Sequence, residues 1–232
     1  MKPISHLIFL LVFVLNAPHS IAQNYDSENQ IYGLNPILYN GKVYDYFLGP
    51  NVKGNQYFNN SDFLKGCITL REQKFEDVLL NYDILNQELI LKYTDNQESQ
   101  RLLIVSKAWL GEFSLGNEHF IVFTKPDGEK MIVQEINQGK IRLLRLWTKK
   151  LTADLSFGSE SYVITKRNQK LYLTYNKVFA EYSKIKDLLV LLNMEKQKKV
   201  KNYLRQNKIK ARTSDITELS GLFDYCNQIN NY

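Results

Sequence analysis

The stretch from His119 to Trp147 constrains the fold more than any other part of the chain. It reads HFIVFTKPDGEKMIVQEINQGKIRLLRLW. The Pro-Asp-Gly at 126–128 and the Asn-Gln-Gly at 137–139 favour tight turns, because Pro presets φ and Gly adopts positive φ. Around these turns apolar and polar side chains alternate, as in strands with one buried face. The stretch therefore predicts three antiparallel strands joined by two short turns, a meander.

Further runs of strand character lie on both sides of the meander. The segment 51–62 is polar and Asn-rich and is predicted as a loop, and residues 86–87 are predicted as the turn of a hairpin. Turns that recur about every ten residues predict an antiparallel β domain. The remaining strands are expected at Gly41–Leu48, Phe63–Leu70 with an irregularity near Gly66, Phe75–Ile84, Glu88–Tyr93, Arg101–Lys107, Leu155–Thr165, Leu171–Tyr175 and Val178–Tyr182, with Trp109–Leu115 either a short strand or an irregular rim.

The periodicity becomes helical after residue 184. Apolar residues recur at i, i+3, i+4 and i+7 from Ile185 onward, again within Lys196–Asn207, and again after the helix start signal at Asp215. These apolar stripes need an apolar surface to cover, and the meander is the nearest candidate. The expected fold class is α+β: an antiparallel β-rich domain (meander, sandwich or open barrel) followed by about three C-terminal helices.

The first 22 residues are typical of a secretory signal peptide. Lys2 gives a positive start, Leu7–Leu15 is a short apolar run, and Ser20-Ile21-Ala22 is a small-x-small cleavage signature. The apolar run is shorter than the roughly 20 residues that span a bilayer. We therefore expect export to the periplasm or cell surface and a soluble protein after cleavage near Ala22.

Three segments are thus predicted: a signal peptide at 1–22, an antiparallel β domain at 23–183, and a helical subdomain at 184–232 that packs on the β domain. A hydrophobic fraction of 44% is enough for a substantial core. Cys67 and Cys226 are the only cysteines. They are expected to be separate thiols, although a disulfide across a long loop stays open in an oxidising compartment.

Histidine is scarce. His6 and His19 lie in the predicted signal peptide, so His119 is the only imidazole expected in the mature protein. Hydrolysis by a Ser/His or Cys/His pair would have to use this one residue, and a multi-histidine metal site is not expected. We interpret His119 as an ordinary residue at a strand edge, with a catalytic base as the alternative.

Acidic residues are the other source of proton-transfer groups. Glycoside hydrolysis needs two carboxyl groups a few ångströms apart, a separation that a sequence does not show. Most acids here lie in or beside predicted turns, where solvated surface charge is the usual role. The neighbouring acids are Glu72, Glu76 and Asp77, then Asp127 and Glu129, then Asp154 and Glu160.

The sequence lacks the short motifs that bind nucleotides, phosphates or calcium and the GxSxG motif of serine hydrolases. No cofactor, no metal site and no catalytic residue is therefore predicted. Tyr44, Tyr46, Tyr57 and Phe58 have the flat rings of a sugar-stacking platform, but core packing and rim filling explain them more simply.

The sharpest charge feature is the segment 194–212. It carries a net charge of +7 in a protein whose total is +6. A solvated helix face is one interpretation, and an anion-binding surface for an anionic membrane or partner is the other. Export argues against nucleic acid as the partner. The candidate anion-binding residues are Lys196, Lys198, Lys199, Lys201, Arg205 and Lys208.

Several stretches together resemble an uncharacterised exported protein family of Bacteroidota. They are Gly54-Asn55-Gln56-Tyr57-Phe58, Phe63-Leu64-Lys65-Gly66, Val78–Leu91, Ile141–Lys150, Val200–Ile209 and Asp215–Asn227. The resemblance extends over nearly all of the predicted mature protein. It implies an exported β-rich domain with a helical tail, and it brings no activity and no catalytic residue.

These observations favour a non-enzymatic binding or accessory module of the cell envelope, with a protein of the envelope as the expected partner. One alternative is a carbohydrate-binding or carbohydrate-active protein that uses carboxylates. A second alternative is binding to an anionic surface, including peripheral contact with an anionic membrane, through the basic segment.

Overall fold

A computed structural model describes residues 34–156, 161–176, 178–209 and 215–230. The predicted signal peptide lies outside the described residues. The strands of the described part are β1 (Gly41–Val43), β2 (Val52–Lys53), β3 (Leu64–Leu70), β4 (Gln73–Asp83), β5 (Glu88–Thr94), β6 (Gln100–Val105), β7 (Leu110–Leu115), β8 (Glu118–Thr124), β9 (Lys130–Glu135), β10 (Ile141–Thr148), β11 (Leu151–Ala153), β12 (Tyr162–Ile164), β13 (Asn168–Tyr175) and β14 (Val178–Glu181). The helices are α1 (Ile185–Leu189), α2 (Met194–Gln206) and α3 (Ile216–Asn230).

Eleven of these strands form one antiparallel sheet in the order β1-β6-β5-β4-β3-β7-β8-β9-β10-β13-β14. The other three form a small sheet, β11-β12-β2, in which β12 and β2 run parallel. The α+β prediction, an antiparallel β-rich domain followed by three C-terminal helices, is confirmed.

The meander forms as its sequence predicts. Strands β8, β9 and β10 are consecutive antiparallel neighbours, with Val122 opposite Ile132 and Leu144 opposite Glu135. Gly128 (φ 89°) and Gly139 (φ 129°) take the positive φ that the two turns require. The irregularity expected near Gly66 is a register shift between Gly66 and Ile68 in the pairing of β3 with β4.

Two strand predictions are wrong in extent. The strand expected at Gly41–Leu48 ends at Val43, because the pairing with β6 stops after the backbone N–H of Tyr44 has donated to the Leu102 carbonyl at 3.0 Å. Of the strand expected at Leu155–Thr165, the structure shows Tyr162–Ile164 as β12, and residues 157–160 lie outside the described residues. Near its expected start the carboxylate of Asp154 accepts hydrogen bonds from the backbone N–H and the hydroxyl of Ser156, local bonding that competes with strand pairing.

The large sheet curls around an aromatic core. The Phe120 ring stacks on Phe113 at 4.9 Å and meets the edges of Tyr82 and Phe58, and Phe58 in turn contacts Trp147. The ends of β4 and β10, which are not neighbours in the sheet, meet because the backbone N–H of Lys149, just after β10, donates to the carbonyl of Ile84, just after β4, at 3.2 Å. This closure brings segments that are distant in sequence to one end of the sheet.

A second apolar core lies between the helices and strands β10 and β13. Leu222 and Phe223 of α3 are fully buried there, against Ile141 and Leu143 of β10. Asn227 fixes the contact: its Oδ1 accepts from the backbone N–H of Ile141 at 2.8 Å, and its Nδ2 donates to the Ile141 carbonyl at 2.8 Å. The α3 helix is thereby clamped to the second turn of the meander.

The two cysteines are free thiols in different parts of the fold. Cys67 is half-buried in β3. Cys226 is fully buried in the helical core, and burial raises the pKa of its thiol to about 12. At neutral pH it is a protonated, apolar side chain.

Candidate functional site

His119 lies on an accessible face of β8. Its Nε2 is 3.1 Å from Oε2 of Glu112 on the adjacent strand, and both residues are about half exposed. A small cavity of about 260 Å³ beside them is also lined by Cys67 and Ser114. The Ser114 hydroxyl accepts a hydrogen bond from the backbone N–H of Cys67. The imidazole thus has a carboxylate partner but no hydroxyl nucleophile hydrogen-bonded to it among the described side chains.

Five of the seven neighbouring acids from the sequence are paired with lysines at the surface. Glu76 contacts Lys74 at 2.6 Å, and Asp154 contacts Lys53 at 2.9 Å. Asp127 and Glu129 share the ammonium group of Lys125, Asp77 lies 3.8 Å from Lys65, and Glu160 lies outside the described residues.

Hydrogen bonds lower the pKa of three of these carboxyl groups below its ordinary value. The donor is Lys74 for Glu76, Ser156 followed by Lys53 for Asp154, and the backbone N–H of Glu129 for Asp127. A general acid in glycoside hydrolysis needs a raised pKa, so these residues are poorly suited to that role.

Glu88 has a raised pKa, because of its partial burial and because of the nearby charge of Asp83. Asp83 itself is fully buried. Its oxygens accept from the backbone N–H groups of Leu85 and Asn86, and from the hydroxyl of Tyr44 at 3.0 Å. Since those contacts occupy its carboxylate, Asp83 organises a turn and is not open to a substrate.

Among the residues that the structure describes, no group of three or more His, Cys, Asp and Glu side chains is suited to hold a metal ion.

Two of the four aromatic candidates for a sugar-stacking platform lie in the core, and the other two, Tyr46 and Tyr57, are half-buried. Tyr44 and Phe58 are buried, and the Tyr44 hydroxyl accepts from Nε2 of Gln56 at 3.1 Å. Burial is also the largest cause that raises the pKa of the Tyr44 phenol. Tyr44 and Phe58 are therefore core residues, as the other interpretation expects.

The basic segment has its cations mostly in solvent. Lys199 pairs with Glu195 at 2.8 Å, and Lys196 turns inward and donates to Asn230 at 3.0 Å. The other candidates that the structure describes are exposed: Lys198, Lys201, Arg205 and Lys208.

The structure also assembles a pocket that the sequence does not single out. It has a volume of about 560 Å³, within the usual range for ligand sites. Three separate segments line it: the loop at 54–60, the end of β10, and the connection between β12 and β13. We call it the cationic pocket, after its lining residues Lys149, Lys166 and Arg167.

The loop at 54–60 is fixed by the backbone of the large sheet. The N–H of Phe58 donates to the Tyr82 carbonyl at 2.8 Å, and the N–H of Ile84 donates to the Gln56 carbonyl at 3.0 Å. The polar loop expected from the sequence is therefore an ordered wall of the pocket.

Lys149 ties this wall to the strand end. Its Nζ donates to the Asn55 carbonyl at 2.9 Å, to Asn55 Oδ1 at 3.0 Å and to the Tyr57 carbonyl at 2.6 Å. These acceptors are neutral. Desolvation, followed by the positive charge of Arg167, lowers the pKa of the Lys149 amine, while Asp83 partly opposes the shift.

Arg167 lies over two aromatic rings. Its guanidinium carbon is 4.4 Å from the Trp147 ring centroid and 4.7 Å from that of Phe58. Its Nη1 is 3.2 Å from Oδ1 of Asn59. Stacking and hydrogen bonding together orient the guanidinium group within the wall of the pocket.

The charge of the pocket is not balanced within the described part of the protein. No carboxylate is among the described residues that line it, and none of its three cations forms an ion pair there. Asn55 and Asn59 each turn their amide oxygen toward a cation, which leaves the Nδ2 ends as donors. The lining is thus rich in donors and positive charge, the chemistry that complements an oxyanion.

Comparisons with protein-family models, with curated proteins and with solved structures find no match. Within the residues that the structure describes, no helix has the length and apolar character needed to cross a bilayer.

Proposed function

We propose that the protein is an exported, non-enzymatic binding module of the cell envelope that captures an oxyanionic group, a carboxylate, phosphate or sulfate, in the cationic pocket. The observation that carries the proposal is the convergence of Lys149, Lys166 and Arg167 on a pocket without a described carboxylate. Export is supported by the signal-peptide character of residues 1–22.

The arrangement suits binding better than catalysis. Lys149 uses its three N–H donors on neutral oxygens, and Arg167 is fixed by stacking, so both charges are held in place before a ligand arrives. Charges that are already held in place lower the cost of ordering when an anion binds. The one described imidazole belongs to another cavity, since His119 lines the small cavity beside Glu112.

The expected partner is an envelope protein that presents such a group on its surface. Asn59, Asn60, Lys166 and Arg167 are exposed at the pocket, so a group carried by a macromolecule can reach them. The carboxylates of Asp and Glu residues and of polypeptide C-termini have the required chemistry.

The test is a calorimetric titration of the protein with sodium sulfate at constant ionic strength in a chloride buffer. The variant Lys166→Gln/Arg167→Gln should lose on the order of 100-fold or more in affinity, since it removes two charged donors and each hydrogen bond to a charged group contributes about 1.5–3 kcal/mol. The matched control, Lys198→Gln/Lys201→Gln, removes the same charge from α2 and should bind as the parent does.

Equal affinity in the parent and the pocket variant would overturn the proposal, as would a parent that binds no sulfate. A neutral disaccharide is the second probe. Under the proposal it does not bind, whereas binding of the neutral sugar would favour the carbohydrate-binding alternative.

A further inference from the structure

The α2 helix has one face buried and one face in solvent. Val200 is fully buried, and the ring of Tyr203 stacks on Tyr225 of α3 at 4.3 Å. These contacts fix the rotation of α2 about its axis. The opposite face is consequently held outward in a defined orientation.

The outward face is cationic along its length. Lys198, Lys201 and Arg205 are exposed and recur at i, i+3 and i+7, so they lie on one side of the helix. We call these three residues the α2 stripe. None of them forms an ion pair within the described residues, and the single acid of the helix, Glu195, is engaged with Lys199.

Two large apolar residues are exposed where this face begins. Met194, the first residue of α2, is 78% exposed, and Val190, the residue that follows α1, is 67% exposed. Met194 lies four residues before Lys198 and so shares the side of the helix that carries the α2 stripe. Exposed Met and Val beside a row of cations combine an apolar contact with electrostatic attraction.

From this juxtaposition we propose that the outward face of α2 docks on a membrane surface of anionic phospholipid, with Val190 and Met194 entering the headgroup boundary. The site is separate from the cationic pocket and does not depend on the function proposed for it. Lipid is the favoured occupant because a membrane offers a dense negative surface for the α2 stripe and an apolar layer below it for the two apolar residues. A polyanion without an apolar layer would leave Val190 and Met194 in water.

The experiment is co-sedimentation with vesicles of phosphatidylglycerol and phosphatidylcholine, compared with vesicles of phosphatidylcholine alone. The protein should bind only the anionic vesicles, and binding should weaken as salt is raised. Lys198→Gln/Lys201→Gln/Arg205→Gln should lower the partition coefficient on the order of 100-fold, from about 1 kcal/mol per surface cation. Lys42→Gln/Lys140→Gln/Lys170→Gln, with the same change in net charge, should bind like the parent.

Val190→Ser/Met194→Ser tests the apolar part and should weaken vesicle binding with the charges intact. The proposal is overturned if both triple variants lose binding equally, because net charge alone would then explain it. It is also overturned if the serine variant binds normally, or if the parent prefers a DNA duplex to anionic vesicles at physiological salt.

Discussion

Lys149 and Lys201 carry the same charge, but the fold holds them in different ways. Lys149 is half-buried, and its ammonium group donates to three oxygens of one loop. Lys201 projects from an exposed helix face with no described ion-pair partner. The cationic pocket therefore has few charges in fixed positions, whereas the α2 stripe has solvated charges in a row. The first arrangement suits recognition of one group, and the second suits attraction to a surface.

The largest difference between the two regions is expected in the free energy of unfolding when Lys149 or Lys201 is replaced. Lys149→Met leaves the Asn55 and Tyr57 carbonyls without their donor, and we expect a loss of about 2 kcal/mol in the free energy of unfolding. Lys201→Met should change it by less than about 0.5 kcal/mol. Urea denaturation of both variants checks the comparison, and equal losses would contradict it.

A second variant changes the helical region and leaves the residues of the cationic pocket intact. Asn227→Ala removes the clamp between α3 and Ile141. We expect a loss of about 1–2 kcal/mol in the free energy of unfolding and faster amide exchange in α2, which packs on α3. The sulfate affinity of the cationic pocket should stay within about twofold of the parent, because hydrogen bonds to the large sheet hold its loop. A large drop in that affinity would show that the regions are coupled.

The pH dependence of sulfate binding should also distinguish the two lysines. The pKa of Lys149 lies below its ordinary value of 10.5, so its positive charge is lost earlier as the pH rises. Sulfate affinity should therefore decline at a pH below 10.5. Over the same window the free energy of unfolding should gain a contribution from Lys149 as the pH rises, because the unfolded protein binds that proton more tightly than the folded form does, so loss of the proton favours the folded form.

Titrations of the parent and of Lys149→Arg at several pH values measure this effect. The guanidinium group stays charged, so the alkaline decline should flatten in the Arg variant. The decline should be unchanged in Lys201→Arg, and an equal response in both variants would contradict the assignment to Lys149.

The smallest effect is expected at Glu195. Glu195→Gln frees Lys199 from its partner and removes the one acid of α2. Binding to phosphatidylglycerol vesicles should rise by no more than about fivefold, and sulfate affinity should not change. A vesicle assay and a sulfate titration on the same variant measure both, and a change in sulfate affinity would show that the α2 charge reaches the pocket.

The sequence predicts most of the fold because its signals are local. Turn residues at 126–128 and 137–139 with alternating strands define the meander, and apolar stripes define the three helices. Local patterns fail where local bonding competes, as at Ser156, which bonds to the Asp154 carboxylate where the sequence predicts a strand. Strand β2 leaves no signal in the sequence because it has two residues and depends on pairing with β12.

The cationic pocket is not predictable in the same way. Its loop at 54–60, Lys149 and Arg167 come from segments that meet only when the large sheet curls and Lys149 bonds to Ile84. The α2 charge is contiguous in sequence and is visible at once. What the sequence does not show is which cations face outward: Lys196 turns inward, and Lys199 is paired.

The central claim is that a fixed oxyanion site lies between the loop at 54–60 and Arg167. A crystal grown in sodium selenate locates a bound oxyanion directly through the anomalous scattering of selenium. The account predicts an anomalous peak in the cationic pocket, with selenate oxygens about 3 Å from the Arg167 guanidinium nitrogens. Selenate peaks at other surface cations, with the pocket empty, would contradict it.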